Sequence, residues 1–472
     1  MRVTMTINGE QVEGSTAFDV INPATGEVCG TAPTASAHQV RQAIDAARAA
    51  QPAWAALGHT RRCELLLQVA DLIEAESGRL AALITTEQGK PLSGPGSLFE
   101  MEAAAGFTRV PATLPMEPEV VFADETRRDE LHYAPLGVVA AIAPWNWPVM
   151  IAIWQIMPAL RMGNTVVLKP SELTPLATLE LVRLIDSVLP DGVLNAISGD
   201  GQVGAELTAD PGIDKIMFTG SVETGRKVAG AAADSLARLT LELGGNDAAI
   251  VLGDVDASAV AENLFWGAMI NMGQTCACAK RLYVHSDVHD AVVEALATLA
   301  DAVPMGDGLD EANVLGPIQN KAQFDKVSGL VDDARAHGAT IVRGGAAPEG
   351  PGYFYPVTIV TDISDGVGLV DVEQFGPVIP IVRFDDLDDA IARANSSSVG
   401  LGASVWTNDA DIAREVAQRL EAGTVWVNSH GTVHPMVPFG GSKHSGFGVE
   451  FGVEGLKGVA QPRIISYAGL DA

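Results

Sequence analysis

The feature that most constrains the fold of this chain is an alternation of short apolar runs with amphipathic helical stretches, which begins near Gly137. Apolar runs at residues 138–142, 165–168 and 215–218 are typical of buried strands, and residues 174–188 have the spacing of a helix. Strands that alternate with helices form a mostly parallel sheet whose two faces are covered. The sequence therefore predicts an α/β fold.

A second series of predicted strands follows the glycine pair at residues 244–245. The predicted strands are 138–142, 165–168, 193–197, 215–218 and 238–241 before that pair, and 248–252, 281–284, 340–342, 379–384, 403–406 and 424–427 after it. A chain of 472 residues is too long for a single hydrophobic core. We expect two α/β domains.

The part of the chain before this alternation has a different pattern. The Asn8-Gly9 pair lies between two short apolar runs and predicts a β-hairpin. Residues 36–56 and 61–90 have the apolar spacing of amphipathic helices. Residues 119–131 mix apolar and charged side chains, which indicates an exposed ribbon rather than core.

Composition excludes several classes of partner. Thirty basic and fifty-nine acidic residues give a net charge of −29, so long-range attraction to nucleic acid or to an anionic membrane is not expected. The longest apolar stretch, residues 137–160, is interrupted by three prolines and by polar side chains, so it does not predict a membrane span. The four cysteines are too few for a disulfide framework, and the N-terminal residues do not resemble a signal peptide. We therefore expect a cytoplasmic protein.

Two of the four cysteines, Cys276 and Cys278, lie one residue apart among small and polar side chains. One interpretation is a nucleophilic thiol at Cys276. The other is a pair of buried apolar cysteines, because free cysteine is among the most buried residue types. A metal site is disfavoured, since no His or Cys cluster completes four ligands.

Two polar residues occur at the ends of predicted strands. Asn146 lies in the Pro144–Pro148 turn, where its amide is a suitable donor to an oxyanion, although such a turn could also be packing alone. Glu242 lies at an apolar strand end before two glycines. Burial there would raise its pKa, as a general base near neutral pH requires, whereas an edge position would leave it in solvent.

Three segments are candidate cofactor contacts. Residues 199–204 fit G-x-G-x-x-G, but residues 210–212 interrupt the following helix early, which weakens that prediction. The turn at residues 218–221 is a better phosphate site, because Ser221 can cap a helix and leave N–H groups free. Lys169 and Glu172 could bind ribose hydroxyls or could form a solvated turn. A 2′-phosphate would meet like charge at Glu172, which favours NAD over NADP.

Together these segments resemble the aldehyde dehydrogenase superfamily over nearly the whole chain. The matching motifs, in order, are Pro144-Trp145-Asn146-Trp147-Pro148, Lys169-Pro170-Ser171-Glu172, Phe218-Thr219-Gly220-Ser221, Leu241-Glu242-Leu243-Gly244-Gly245, Gly273-Gln274-Thr275-Cys276, Glu373-Gln374-Phe375-Gly376-Pro377 and Pro438-Phe439-Gly440-Gly441-Ser442-Lys443. One departure is Gln374, where an apolar residue is usual, and we expect it to be tolerated because Glu373 and Phe375 are in place.

The resemblance implies a role for each matching residue. Cys276 would attack the aldehyde carbon, Asn146 and the Cys276 backbone N–H would hold the oxyanion, and Glu242 would activate water to cleave the thioester. The cofactor would contact Trp145, Lys169, Ser171, Glu172, Gly204, Thr219, Gly220, Ser221, Leu243, Glu373 and Phe375. In this family the G-x-G-x-x-G loop does not bind the cofactor in the usual Rossmann manner.

The resemblance also implies an architecture of two doubly wound α/β domains and a small oligomerisation sheet. Residues 1–114 and 136–243 would form the NAD-binding domain and residues 244–458 the catalytic domain. Residues 115–135 and 459–472 would form the oligomerisation segments, so we expect a homodimer or homotetramer.

By the same resemblance the substrate tunnel would be lined by Trp147, Met150, Trp154, Thr275 and Val433. Its apolar character favours aliphatic or aromatic aldehydes over charged ones. Succinate-semialdehyde dehydrogenases resemble the chain around Cys276, but they carry an Arg where this chain has Ile270. A CoA-acylating enzyme is the other alternative, and Glu242 argues against it.

Overall fold

The computed structural model describes residues 1–469. Residues 470–472, which end the predicted oligomerisation segment 459–472, lie outside the described residues. In chain order the strands are β1 Met5–Ile7, β2 Glu10–Val12, β3 Thr16–Ile21, β4 Val28–Thr34, β5 Glu119–Ala123, β6 Arg127–Pro135, β7 Val138–Ile142, β8 Thr165–Lys169, β9 Leu194–Ala196, β10 Lys215–Thr219, β11 Arg238–Glu242, β12 Asp247–Val251, β13 Ala279–His285, β14 Thr340–Arg343, β15 Thr358–Thr361, β16 Val378–Phe384, β17 Val399–Gly400, β18 Gly402–Trp406, β19 Thr424–Val427, β20 Ser442–Lys443, β21 Gly446–Phe447 and β22 Ala460–Ala468.

The helices complete the chain. They are α1 Ala37–Ala56, α2 Gly58–Ala75, α3 Ser77–Gln88, α4 Ser97–Thr113, α5 Pro148–Arg161, α6 Leu176–Ile185, α7 Gly201–Ala209, α8 Val222–Ala232, α9 Ala257–Met269, α10 Ser286–Ala302, α11 Lys321–Ala336, α12 Gly368–Asp371, α13 Leu387–Asn395, α14 Ala410–Arg419 and α15 Gly452–Gly458, with a 3₁₀ turn at Ile270–Gly273.

The first sheet has the strand order β2-β1-β9-β8-β7-β10-β11-β21. Strands β7 to β11 pair in parallel, as the alternation of strands and helices predicts. The N-terminal hairpin of β1 and β2 pairs antiparallel at one edge, which confirms the turn predicted at Asn8-Gly9. At the opposite edge β21 pairs antiparallel with β11. The predicted catalytic range thus contributes a strand to this sheet, and the domain boundaries stay a prediction.

The second sheet has the order β14-β15-β16-β13-β12-β18-β19 and is parallel except for β14. Strand β15 at residues 358–361 is absent from the sequence-based strands, whereas the other strands of this sheet overlap the predicted ones. The two sheets and their covering helices confirm the predicted α/β class.

A separate three-stranded sheet has the order β22-β6-β5. All five residues of β5 are exposed, which agrees with a ribbon outside the core. Strand β22 pairs with β6 along its whole length, from Ala460 opposite Pro135 to Ala468 opposite Arg127. The sheet therefore joins the two chain segments that were predicted to meet there.

The prediction of one continuous helix over residues 61–90 is wrong. The structure has two helices, α2 and α3, which meet at Glu76 with φ −96° and ψ 1°. Ser77 and Gly78 follow, and glycine in particular costs a helix interior about 1 kcal/mol relative to alanine. The preceding helix α1 begins after Ser36 with a capping box to Gln39, as its sequence favours.

Helix α5 is buried over its entire length. It follows β7 directly and packs in the largest apolar cluster of the molecule, so it fixes the turn between them within the core. Over residues 1–469, no helix is both long and apolar enough to cross a membrane.

Candidate active site

A cleft of about 1250 Å³ opens beside the carboxyl ends of strands β7, β8, β10 and β11. Asn146, Glu242 and Cys276 line it together, although they come from three distant parts of the chain. Every residue predicted to contact the cofactor also lines this cleft: Trp145, Lys169, Ser171, Glu172, Gly204, Thr219, Gly220, Ser221, Leu243, Glu373 and Phe375. The fold thus brings the predicted catalytic and cofactor residues into one site.

The loop that leads to the candidate nucleophile Cys276, residues 271–276 and called the nucleophile loop below, has a strained backbone. Asn271 and Met272 have φ values of 49° and 59°, in the left-handed region that non-glycine residues rarely adopt. Gly273 follows with φ 68°, and a Cβ at that position would lie 2.3 Å from the Gly376 carbonyl oxygen. Such strain persists only where surrounding contacts fix it, and it concentrates at functional sites.

Hydrogen bonds tie this loop to the Asn146 turn. The Asn146 side-chain amide donates to the Gln274 carbonyl at 3.0 Å, and Asn271 Nδ2 donates back to the Asn146 carbonyl at 2.8 Å. Trp147 Nε1 donates to Thr275 Oγ1 at 2.9 Å. The candidate oxyanion donor is therefore held beside the backbone that leads into Cys276.

A buried ion pair between Lys90 and Glu100 supports the turn that contains Asn146. Lys90 Nζ donates to Glu100 Oε2 at 2.6 Å and to the Asn146 carbonyl at 2.7 Å. The second Glu100 oxygen accepts from the Val149 and Met150 N–H groups at the start of α5. Sequence reasoning missed this pair, because nothing in the sequence distinguishes a buried lysine from a solvated one.

Charges around the Cys276 thiol oppose its ionisation. The side chain is only partly exposed, and burial together with Glu242, Glu373 and Asp247 raises its pKa. Lys280 acts in the opposite direction. Cys276, like Cys29, Cys63 and Cys278, is a free thiol. At neutral pH the thiol therefore needs a base or a neighbouring positive charge to become a nucleophile.

Glu242 is 5% exposed and ends strand β11. Its Oε1 has no hydrogen-bond partner among the described residues. Burial, with a further contribution from the Glu450 carboxylate, raises the pKa of Glu242 well above its usual value. Both Glu450 oxygens likewise lack a hydrogen-bond partner within residues 1–469, and burial raises the pKa of Glu450 to about 7. Sequence reasoning missed Glu450, which lies more than two hundred residues beyond Glu242.

The far end of the cleft has the features of a phosphate and ribose site. Ser221 caps α8, with its hydroxyl accepting from the Thr224 N–H, as the sequence predicts. Lys169 Nζ lies 3.6 Å from Glu172 Oε2 at the end of β8. By contrast, the side chain that caps α7 in the G-x-G-x-x-G segment is the Asp200 carboxylate, which would repel a phosphate at that helix start.

At the end near Cys276, Glu373 lies against the glycine pair after Glu242. A Cβ on Gly244 would lie 2.5 Å from Glu373 Oε2, so only glycine leaves room for this carboxylate. Burial raises the pKa of Glu373 to about 7. The rings of Trp145 and Phe375 meet edge to face at 5.3 Å across this end of the cleft.

The unusual Gln374 is buried and forms specific contacts. Its Nε2 donates to the Lys280 carbonyl at 3.0 Å and to the Val378 carbonyl at 2.8 Å. An apolar side chain would leave these carbonyls without that donor. Gln374 therefore links the Glu373–Phe375 segment to strand β13, which the sequence did not indicate.

The predicted tunnel residues lie outside the cleft. Trp147, Met150 and Trp154 are buried, and Val433 and Cys276 pack against the same apolar cluster. Trp154 contacts Phe107 and Phe451, with ring centroids 5.0 Å and 4.7 Å away. The thiol thus lies between the cleft and an apolar side that includes several aromatic rings. Whether that side forms a tunnel stays a prediction. Residues 1–469 contain no cluster of three or more His, Cys, Asp or Glu arranged to hold a metal ion.

Comparison with known proteins gives a consistent result. Residues 10–465 match the model of the aldehyde dehydrogenase family. The phenylacetaldehyde dehydrogenase of Pseudomonas fluorescens is 38% identical over 486 aligned residues, which cover 98% of this chain and 96% of that protein. A betaine aldehyde dehydrogenase of Rhizobium leguminosarum is 37% identical over 481 residues, with the same two coverages. The NAD⁺ complex of a Bacillus cereus aldehyde dehydrogenase superposes with a TM-score of 0.96 at 34% identity, covering 100% of this chain and 97% of that one.

Proposed function

Because the chain belongs to the aldehyde dehydrogenase family, we propose that it oxidises an apolar aldehyde to the carboxylic acid with NAD, through a thioester on Cys276. One observation carries the proposal. Cys276, the Asn146 amide and a buried Glu242 without a hydrogen-bond partner in the described part of the chain line the same cleft. These are the nucleophile, the oxyanion donor and the base that the reaction needs.

In the first step the Cys276 thiolate attacks the aldehyde carbon, and a C–S bond forms as the carbonyl oxygen becomes an oxyanion. The Asn146 amide, now bonded to the Gln274 carbonyl at 3.0 Å, is held where it can turn to that oxyanion. Removal of one such donor costs about 3–4 kcal/mol of transition-state stabilisation in other enzymes. The Cys276 backbone N–H is the second donor in this proposal.

NAD fits the chemistry of the cleft. The cleft, at about 1250 Å³, exceeds the roughly 300–1,000 Å³ of an ordinary ligand pocket, and Gly244 leaves room for the Glu373 carboxylate in its wall. Lys169 and Glu172 would hold the adenosine ribose, the start of α8 at Ser221 a phosphate, and Glu373 the nicotinamide ribose. When bound, NAD accepts the hydride that leaves the substrate carbon. Glu172 at the rim disfavours the extra phosphate of NADP.

Hydrolysis completes the cycle. Glu242 takes a proton from a water molecule, the water oxygen attacks the thioester carbon, and the C–S bond breaks to release the acid and the Cys276 thiolate. Glu242 then gives its proton to solvent, which restores the starting state. The raised pKa of Glu242 gives it the proton affinity of a base that works near neutral pH. A CoA-acylating enzyme would not need this base, so free CoA should not accelerate NADH formation.

The apolar cluster beside Cys276 supports the choice of substrate. Its aromatic side chains offer contact area to aliphatic or aromatic aldehydes. A substrate carboxylate there would be desolvated, and the Lys90 ammonium beside Trp147 is already paired with Glu100. The Pseudomonas relative is named for an aromatic aldehyde, whereas the Rhizobium relative is named for a cationic one. Succinate semialdehyde is the second candidate.

The test is a panel of hexanal, benzaldehyde, phenylacetaldehyde, betaine aldehyde and succinate semialdehyde, each with NAD and with NADP. We expect the highest kcat/KM for an uncharged aldehyde with NAD, carboxylic acid as the product, and no turnover by Cys276→Ala. Higher efficiency with succinate semialdehyde or betaine aldehyde would contradict the substrate proposal while leaving the reaction class in place.

The remaining proposals concern the cellular location, the oligomeric state and the domain boundaries of the enzyme. We propose a cytoplasmic homotetramer or homodimer assembled through the β22-β6-β5 sheet, with the NAD-binding domain at residues 1–114 and 136–243 and the catalytic domain at 244–458. The exposed β5 strand, with Val120, Val121 and Phe122 at its surface, offers an unpaired edge for a second copy. Sedimentation analysis would determine the oligomeric state.

A further inference from the structure

Lys280 is a fully buried lysine that none of the proposed reaction steps uses. It lies in β13, four residues after Cys276, and is 1% exposed. Its Nζ donates to the Gly273 carbonyl at 2.7 Å and to the Thr275 carbonyl at 2.8 Å. These carbonyls belong to the nucleophile loop, and Thr275 directly precedes Cys276. The lysine therefore holds the loop on both sides of Gln274.

Among residues 1–469, no carboxylate lies within salt-bridge distance of Lys280. Carbonyl oxygens satisfy the hydrogen bonds of an ammonium group but carry no net charge to neutralise it. Burying such an ion costs several kcal/mol unless something nearby benefits from its charge. Glu100 provides that compensation for Lys90, and the question is which group provides it for Lys280.

Two groups fit this description: the Glu373 carboxylate, whose pKa Lys280 lowers, and a thiolate formed at Cys276. The charged groups that act on this thiol are Glu242 on β11, Asp247 on β12, Glu373 beyond α12, and Lys280 itself. Three of the four are carboxylates, which oppose a thiolate, and Lys280 is the positive one. A thiolate formed at Cys276 would also replace part of the solvation that Lys280 lost on burial.

Two contacts with the Glu373–Phe375 segment, at the proposed cofactor end of the cleft, also hold Lys280 in place. Its Nζ lies 4.8 Å from the centre of the Phe375 ring, and its backbone carbonyl accepts from Gln374 Nε2 at 3.0 Å. The face of an aromatic ring attracts a positively charged group. The unusual Gln374 thus fixes the strand that carries the lysine.

We propose that Lys280 is a positioning residue that holds the nucleophile loop and supplies the positive charge that stabilises the Cys276 thiolate. The proposal rests on the proposed nucleophilic role of Cys276. The rival explanation is a purely mechanical one, in which Lys280 only ties two carbonyls together. The two differ in whether the charge of residue 280, or only its hydrogen bonding, sets the ionisation of the thiol.

The experiment measures alkylation of Cys276 by iodoacetamide as a function of pH, in enzyme without substrate or NAD. Peptide mass spectrometry assigns the label to Cys276 rather than to the other cysteines. Lys280→Gln keeps a neutral N–H donor, Lys280→Met removes both donor and charge, and Lys280→Arg keeps the charge. Lys321→Met is the matched control, because Lys321 is exposed and pairs with Asp325 on the surface.

We expect the midpoint of the alkylation profile to move to higher pH in both neutral variants, with alkylation about tenfold slower at pH values below the midpoint. Lys280→Arg and Lys321→Met should keep the parental midpoint. The mechanical explanation predicts an unchanged midpoint in Lys280→Gln, and that result would overturn the proposal. If Lys280→Met does not fold, the comparison of Lys280→Gln with Lys280→Arg still distinguishes the two explanations.

Glu373 needs its own control, because Lys280 also lowers the pKa of that carboxyl. The comparison is therefore repeated in a Glu373→Gln background, where the shift caused by Lys280→Gln must persist. A shift that disappears there would mean that Lys280 acts on Glu373 and not on the thiol. Since alkylation needs no turnover, this test is independent of the substrate panel, and lack of aldehyde oxidation would refute the proposed function separately.

Discussion

Replacing Lys90 with methionine should destabilise the protein more than the loss of an ordinary ion pair. Lys90 and Glu100 have side chains that are both 0% exposed, and their charged atoms lie 2.6 Å apart. Without Lys90, the donors left to the Glu100 carboxylate among residues 1–469 are the Val149 and Met150 N–H groups, at 2.9 and 3.1 Å. Removal of one partner of a buried pair costs about 3–5 kcal/mol, because the other charge remains in a dry site.

The same substitution should reduce catalysis. Lys90 Nζ also donates to the Asn146 carbonyl at 2.7 Å, so its loss frees the backbone of the residue proposed as the oxyanion donor. Small misplacements of catalytic groups cost on the order of 100-fold in rate. We expect kcat/KM to fall by about 10- to 100-fold in the fraction of Lys90→Met that remains folded at low temperature.

A double-mutant cycle measures the coupling. The free energy of the first unfolding transition in urea is determined for Lys90→Met, Glu100→Gln and the double variant. In the double variant a neutral amide replaces the carboxylate that would otherwise be left without a partner. Its free energy of unfolding should therefore fall by about 1–3 kcal/mol less than the sum of the two single losses. Lys321→Met, which removes a pair with side chains 63% and 56% exposed, should cost less than about 1 kcal/mol.

Two results would refute this reasoning. A cost for Lys90→Met that is no larger than the cost for Lys321→Met would mean that the pair is not desolvated. Strictly additive losses in the cycle would mean that Lys90 and Glu100 stabilise the protein independently. In either case the support of the Asn146 turn would have to come from the Asn271 side chain, which donates to the same carbonyl at 2.8 Å.

Three further predictions follow from the site. Glu242→Gln should give a burst of NADH and then a slow steady state. In the parent, because the pKa of Glu242 is raised, thioester hydrolysis should speed up as rising pH deprotonates it, and loss of that pH dependence in the variant is measured by rapid-mixing kinetics. Glu172→Ala should lower the preference for NAD over NADP by about tenfold, since one opposing charge is removed, and an unchanged ratio of efficiencies would contradict the ribose assignment. Gly273→Ala should abolish turnover while NAD binding persists, because its Cβ would lie 2.3 Å from the Gly376 carbonyl oxygen, and calorimetric titration with NAD distinguishes this from global unfolding.

Much of the fold could be predicted because it depends on local patterns. Apolar runs such as residues 138–142 are buried on both faces, and a run of that kind has few alternatives to a central strand. Strand β15 was missed because residues 358–361 are short and follow a long irregular stretch. The break between α2 and α3 was missed because Ser77 and Gly78 are only weak helix breakers, so tertiary packing decides where the helix ends.

Some residues of the site could likewise be predicted from the sequence and others could not. Asn146, Glu242 and Cys276 stand in motifs, so their neighbours in sequence identify them. Lys90 and Glu450 could not be recognised, because residues from other parts of the chain surround them. Lys280 could not be recognised either, because its partners Gly273 and Thr275 are near in sequence but meet its ammonium group only through the folded shape of the loop. For Lys90 one acceptor lies 56 residues away. Only the folded structure reveals that these charges are buried.

The orientation of the Trp147 side chain also could not be predicted from the sequence. The residue was expected in a substrate tunnel, yet its indole N–H is bonded to Thr275 and its ring lies 3.5 Å from Lys90 Nζ. A motif specifies which residue occupies a turn, but the packing around the turn decides where its side chain points. The tunnel assignment of Trp147 therefore stays a prediction that the substrate panel can test through Trp147→Phe.

The pairing of β21 with β11 has a consequence for how the chain folds during its synthesis. The strand that ends at Glu242 receives its outer neighbour from residues 446–447, and the Ser445 hydroxyl bonds the Gly244 carbonyl across 201 residues of sequence. At about 5–20 residues per second, a ribosome needs roughly 10–40 s to synthesise that interval. During this time the nascent first sheet exposes an open strand edge, which is a template for unwanted pairing with other chains. Yield in cells should therefore depend on chaperones that act on the nascent chain, and a truncation before residue 446 should aggregate rather than fold as a cofactor-binding half.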